Sequence, residues 1–176
     1  FFAKECPSIM GVLNATPDSF SDGGQFNRVS AALHRIDEMI EQGASIIDIG
    51  GESTRPYAPA VEESEEIRRV IPILQKAVPR FSDQVLFSID TTKYGVAEQA
   101  LGAGALIIND VSGLQKSPAM AGLAASFNAA YILMHAQGSP QDMQDNPSYT
   151  HAVTDIVDFL VQQSVLLQRE GVEHII

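Results

Sequence analysis

The sequence predicts an α/β protein of the (β/α)8 TIM barrel type, incomplete here, with about five βα units and the start of a sixth strand. Three observations carry that expectation. Short β-branched runs alternate with amphipathic stretches of helical period along the whole chain. Strict βα alternation implies parallel strands covered by helices. The five complete strands each run apolar and then turn polar, at Asn14, the Gly50-Gly51-Glu52 turn, Asp90, Asn109-Asp110 and His135. An open doubly wound sheet gathers its ligand groups near a switch point. A barrel aims every strand end at one shared site, and polar ends on all five strands favour the barrel. Five units over about 171 residues average about 34 each, so eight need roughly 275, near the usual barrel size.

Ser8 to Asn14 reads as the first strand. Val29 to Gln42 reads as a helix with Val29, Leu33, Ile36 and Ile40 on one face, ended by Gly43. Ser45 to Ile49 is a second strand, and Glu63 to Val78 a helix with acidic residues at its start, where the helix dipole favours them. Pro72 inside that helix predicts a kink or a short break. Val85 to Asp90 is a third strand, Lys93 to Ala103 a helix, and Leu106 to Asp110 a fourth strand. Pro118 to Phe127 reads as a helix with Pro118 in its first turn. Ala130 to His135 is a fifth strand and Ala152 to Glu170 the longest helix. Gly171 then leads into a β-branched run, Val172-Glu173-His174-Ile175-Ile176, that has barely begun. The expectation is one domain over residues 1–176, truncated on its C-terminal side, with a natural chain that continues for roughly a hundred residues.

Composition narrows the function. The 176 residues are 45% hydrophobic and 19% charged, a globular balance. Net charge is −11, from 11 basic and 22 acidic side chains, and the only tight basic pair, Arg68-Arg69, lies among glutamates. That argues against nucleic acid and anionic membranes as partners. No apolar run approaches the ~20 residues of a membrane helix, and Lys4 and Glu5 directly after Phe1-Phe2 are unlike a signal peptide. Cys6 is alone, which excludes an internal disulfide and fits a reducing cytoplasm.

The chemistry-bearing residues cluster at the strand ends. The loop Asn14-Ala15-Thr16-Pro17-Asp18-Ser19-Phe20-Ser21-Asp22-Gly23-Gly24 has the contents of a capped turn, yet it is long and carries an aromatic between polar groups, as lids do. Gly50-Gly51-Glu52-Ser53-Thr54-Arg55-Pro56 combines flexible backbone, hydroxyls and a guanidinium, which suits an anion as well as a solvated turn. An Asp that only accepts and an Asn that does both, Asp90 and Asn109, suit a heterocycle with mixed hydrogen-bonding edges. Asp110 is expected to cap the following helix. His135 is expected to be a hydrogen-bonded structural histidine, because His34, His151 and His174 fall elsewhere and no ligand set converges.

Two long motifs go further. Met10-Gly11-Val12-Leu13-Asn14-Ala15-Thr16-Pro17-Asp18-Ser19-Phe20-Ser21-Asp22-Gly23-Gly24 and Gly43-Ala44-Ser45-Ile46-Ile47-Asp48-Ile49-Gly50-Gly51-Glu52-Ser53-Thr54-Arg55-Pro56 resemble the two signatures of dihydropteroate synthases. Ser88-Ile89-Asp90-Thr91, Ile107-Ile108-Asn109-Asp110 and Leu133-Met134-His135-Ala136-Gln137-Gly138 follow in that family's order. The resemblance implies a transferase that joins 6-hydroxymethyl-7,8-dihydropterin diphosphate to 4-aminobenzoate in folate biosynthesis and is the target of sulfonamides. It implies that Asp90 and Asn109 are the catalytic pair and hold the pterin ring, with Val111 and Met134 lining its slot. It implies that Asn14 serves Mg2+ at the diphosphate end, and that Phe20, Thr54, Arg55 and Pro56 form the aminobenzoate pocket.

Tyr57 departs from the glycine the family often has there, and the family's Asp-Pro-Gly, Ser-Arg-Lys and Arg-x-His segments lie beyond Ile176. Within this chain Arg55 and Lys93 are left to face the diphosphate, and the homodimer the resemblance implies uses late helices. The alternatives are a pterin-binding methyltransferase domain, which has no use for the Thr54-Arg55-Pro56 loop, and an inactive pterin-binding fragment. Sulfonamide binding separates them from the synthase.

Overall fold

The computed structural model describes residues 7–16, 25–53, 60–138 and 147–176. Among the described residues five strands, β1 (Met10–Asn14), β2 (Ile46–Gly50), β3 (Leu86–Asp90), β4 (Ile107–Asp110) and β5 (Ala130–Leu133), alternate with five helices. The helices are α1 (Gln25–Glu41), α2 (Glu63–Phe81), α3 (Tyr94–Gly102), α4 (Met120–Ser126) and α5 (Ala152–Glu170). All neighbours pair in parallel in the order β1-β2-β3-β4-β5, as the βα alternation requires. Each strand therefore ends on the same rim.

Side-chain alternation divides every strand between two faces. Leu13, Ile47, Ile49, Phe87, Ile89, Ile108 and Tyr131 are buried in the core cluster that also contains Ile36, Met39, Leu74, Phe81, Ala97, Met120 and Leu167 of the helices. Removing large apolar side chains of this kind from water contributes about 1.5–3 kcal/mol each. The other face carries two rows set by the register. Val12, Asp48, Ser88, Ile107 and Ala130 form the lower row, and Asn14, Gly50, Asp90, Asn109 and Ile132 form the row at the rim.

The helix ends follow the sequence signals. Gly43 takes φ +97 just after α1, and Gly171 caps α5 at φ +95 with its N–H on the Gln168 carbonyl. Of the kink or short break expected at Pro72, the break is absent: α2 runs from Glu63 to Phe81 with Pro72 and Pro79 inside it. Val70, Ile71, Ile73, Leu74 and Ala77 of α2 are buried around Pro72, and that packing offsets the one backbone hydrogen bond a proline removes. The helix expected from Pro118 begins at Met120, preceded by a tighter turn in which Met120 N–H reaches the Ser117 carbonyl. The sixth strand begins as expected. Tyr131 and Ile175 form a parallel bridge, and Leu133 N–H donates to the Ile176 carbonyl at 2.8 Å.

Candidate active site

Asp90 ends β3 and lines a cavity of about 530 Å³ shared with Glu52, Glu66, Thr91, Lys93 and Val111. Asn109 stands beside Asp90 in the rim row, half-buried, and its Nδ2 donates to Asp48 Oδ2 at 2.9 Å. Asn14 lies exposed at the other end of that row. The rim therefore collects Asn14, Asp90 and Asn109, as the strand-end pattern predicts.

Burial pushes the Asp90 carboxyl up to about 7, helped by the nearby charges of Asp48, Glu66, Asp110 and Glu52. Burial also raises the Asp48 carboxyl, opposed by hydrogen bonding from its neighbours. A carboxyl raised in the folded state from its ordinary 3.8 binds its proton more tightly there than in the unfolded chain. Its contribution is full below about pH 4 and is lost as pH rises through about 7. Asp90→Asn removes this titration, so the variant gains stability over the parent by up to ~1.4 kcal/mol per pH unit across that window. Urea unfolding of both proteins from pH 4 to 8 checks it, and parallel stability curves would refute the raised carboxyl.

Lys93 does not face the cavity as a free cation. Its Nζ contacts Glu52 Oε2 at 2.6 Å and also Glu66 Oε2, a side chain with no exposed surface. Desolvation lowers the Lys93 pKa, but the two carboxylates outweigh it and the net shift is upward. Glu52 accepts the Val61 backbone N–H through its other oxygen at 2.9 Å. The cation expected to face a diphosphate is thus engaged in tying the strand-end turn to α2.

Asp110 caps a turn and not a helix. Its carboxylate accepts from Ser112 N–H (2.8 Å), Ser112 Oγ (2.7 Å), Leu114 N–H (2.7 Å) and Tyr131 Oη (2.7 Å). Tyr131 keeps its proton for that bond, because burial and then the adjacent Asp110 charge push its titration far upward. The carboxylate stabilises a turn in which Gly113 and Leu114 both have positive φ, +58 and +68. Gly113 lies directly against the Met134 carbonyl, so this turn packs onto the chain just beyond β5. Val111 lines the cavity; Met134 is half-buried, one residue beyond β5.

His135 differs from expectation in what holds it. Among the described residues its ring meets Phe159 edge-on at 5.0 Å between centroids and Tyr149 at 5.8 Å. Phe20, Thr54, Arg55 and Pro56, with Tyr57, lie outside the described residues. Among the described residues no group of three His, Cys, Asp or Glu side chains is arranged to hold a metal ion. No helix among them is long and apolar enough to cross a membrane.

Sequence reading missed Asp48 and Glu66. Asp48 had a visible signal, a carboxylate inside the otherwise apolar run Ile46-Ile47-Asp48-Ile49. Glu66 had none, because an acidic residue near a helix start needs no special explanation.

Parallel βα units thus bring a carboxylate and an amide to adjoining strand ends on one rim, with the carboxylate lining a cavity. Residues 10–176 match the family described as "Pterin binding enzyme", and the chain belongs to that family. The dihydropteroate synthase of Synechocystis is 46% identical over 164 residues, 93% of this chain and 56% of the relative. That of Clostridium beijerinckii is 47% identical over 165 residues, 94% of this chain and 58% of the relative. The chain thus spans a little over half the length of these relatives. A Clostridium difficile dihydropteroate synthase structure determined with pteroic acid superposes with TM-score 0.90 at 41% identity, over 99% of this chain and 64% of that one. A Yersinia pestis dihydropteroate synthase in complex with a sulfonamide drug gives 0.83 at 43% identity, over 94% and 59%. These two structures extend the likeness from sequence to fold, including the barrel architecture.

Proposed function

We propose that this chain supplies the pterin-binding part of a dihydropteroate synthase. The enzyme would condense 6-hydroxymethyl-7,8-dihydropterin diphosphate with 4-aminobenzoate, giving dihydropteroate and diphosphate. The observation that carries the reading is the Asp90–Asn109 pair on adjoining strand ends, in a sequence context shared with dihydropteroate synthases over most of this chain. In this reaction the bond from the pterin methylene to the diphosphate oxygen breaks first. The aniline nitrogen then attacks the cationic methylene carbon and loses a proton. No nucleophile from the protein is needed. Asp90 and the Asn109 amide hold the ring and set fixed acceptor dipoles near the developing cation.

Magnesium fits this reading at one point. The exposed Asn14 amide oxygen is the hard, neutral ligand a Mg2+ ion accepts while it keeps waters and phosphate oxygens. The ion would neutralise charge on the departing diphosphate. Thr54, Arg55, Pro56 and Phe20 are assigned to 4-aminobenzoate and to sulfonamide inhibitors, in a cytoplasmic homodimer.

The test separates the two halves of the site. Asn109→Ala is expected to weaken binding of a pterin by roughly 1–3 kcal/mol, the cost of buried partners left unpaired. Thr54→Ala is expected to leave pterin binding nearly unchanged and to raise the KM for 4-aminobenzoate. Calorimetric titration with 6-hydroxymethylpterin and a dihydropteroate assay read both. Equal pterin losses in the two variants would contradict the division, and a full-length protein containing these residues that forms no dihydropteroate would sink the reading.

A further inference from the structure

We propose that Asp48 is a positioning residue, which holds the Asn109 amide in one of its two orientations and so decides which atoms that strand end offers a ligand. The proposal rests on the pterin reading of the site. Asp48 lies in the row beneath the rim, on the same face of the sheet as Asp90 and Asn109, and is only 2% exposed. Asn109 Nδ2 donates to its Oδ2 at 2.9 Å. An ionised carboxylate offers acceptors only, so it selects the amide's NH2 end, and a protonated one still has a carbonyl oxygen to accept that bond. With the NH2 end drawn down to Asp48, the amide oxygen occupies the other arm of the planar group. Asn109 then presents an acceptor and one remaining N–H, and a ligand must answer with a ring or exocyclic N–H.

A second observation separates this from a purely structural role. Asp48 Oδ1 is buried and has no partner in hydrogen-bonding geometry among the described residues; the Ser88 hydroxyl, its register neighbour, is likewise unpartnered there and lies close enough to oppose the rise of the Asp48 carboxyl. A buried carboxyl with one oxygen unsatisfied costs stability, so the fold alone does not favour it over an apolar residue of similar size. The register neighbours of Asp48 are Val12 and Ser88, and neither supplies a charge for a carboxyl to pair with. Orientation of the neighbouring amide gives the carboxyl its role, since a free amide populates both flips and forfeits part of its discrimination.

The experiment titrates the full chain with 6-hydroxymethylpterin and follows thermal unfolding in parallel. Asp48→Leu is expected to weaken pterin binding about tenfold while the melting temperature holds or rises. Asp48→Asn keeps an acceptor for the Asn109 NH2 and is expected to stay within about threefold of the parent. Asn109→Asp sets two carboxyls against each other and is expected to lose at least about tenfold. The exchange Asp48→Asn with Asn109→Asp restores a donor–acceptor pair with an acceptor still on strand β4, and is expected to recover most of that loss. If the Leu variant fails to fold, the exchange decides. Parent-like binding by Asp48→Leu, or no recovery in the exchange, overturns the positioning role. A parent chain that does not bind the pterin at all overturns the reading beneath it instead.

Discussion

Lys93→Met is expected to destabilise the protein by about 3–5 kcal/mol, the effect of removing one partner from a buried ion pair. Glu66 has no exposed surface, and one of its oxygens already lacks a partner among the described residues. Its other oxygen depends on Lys93, which also holds Glu52 at 2.6 Å. Without the ammonium, two carboxylates face each other across the cavity wall. Glu52 is partly exposed and relieves itself by turning to water, whereas Glu66 has no such exit. The companion variant Lys93→Met with Glu66→Leu removes the charge as well as its partner and is expected to recover most of the loss. Urea unfolding at pH 7 of the parent and both variants reads the difference. A single variant as stable as the parent would show that the Glu66 carboxyl does not depend on Lys93.

The Asp110-stabilised turn supports a comparably large effect. A Cβ on Gly113 would stand 2.4 Å from the Met134 carbonyl oxygen and 2.9 Å from the Phe159 ring, at φ +58. The backbone atom has no rotamer by which to withdraw. Overpacking of about 1–3 kcal/mol adds to about 1–2 kcal/mol for a side chain in the left-handed region, so Gly113→Ala costs roughly 2–5 kcal/mol. Gly43→Ala is the control. Gly43 also has positive φ, +97, but nothing lies within 4 Å of the new atom, so only the conformational part remains. Because Gly113 follows the cavity-lining Val111 by two residues and packs on the Met134 backbone, Gly113→Ala is also expected to weaken pterin binding at least tenfold. Equal costs for the two alanines in thermal unfolding would refute the steric account.

The architecture was legible because it depends on local periodicity. Apolar runs of four or five residues separated by amphipathic helices force parallel pairing, and parallel pairing forces all strand ends to one rim. That is why Asn14, Asp90 and Asn109 could be placed together from the chain alone. Individual boundaries were less legible. Pro72 reads as a kink or a short break, yet α2 continues through it, because its buried face outweighs the missing backbone hydrogen bond.

The sequence by itself determined the alternation of elements, the parallel order and the polar rim, because side-chain period and turn residues act within a few positions of themselves. It also marked Asp90 and Asn109 as partners through their places at successive strand ends. Only the tertiary structure decided what surrounds them. Lys93 meets Glu66 from 27 positions away, Asn109 reaches Asp48 across 61, and Tyr131 reaches Asp110 across 21. Such pairings depend on strand register and on how closely helices pack over the sheet, and neither leaves a trace in local composition. The same burial raised Asp90 to about 7, since desolvation and neighbouring carboxylates exist only once the chain has closed around them.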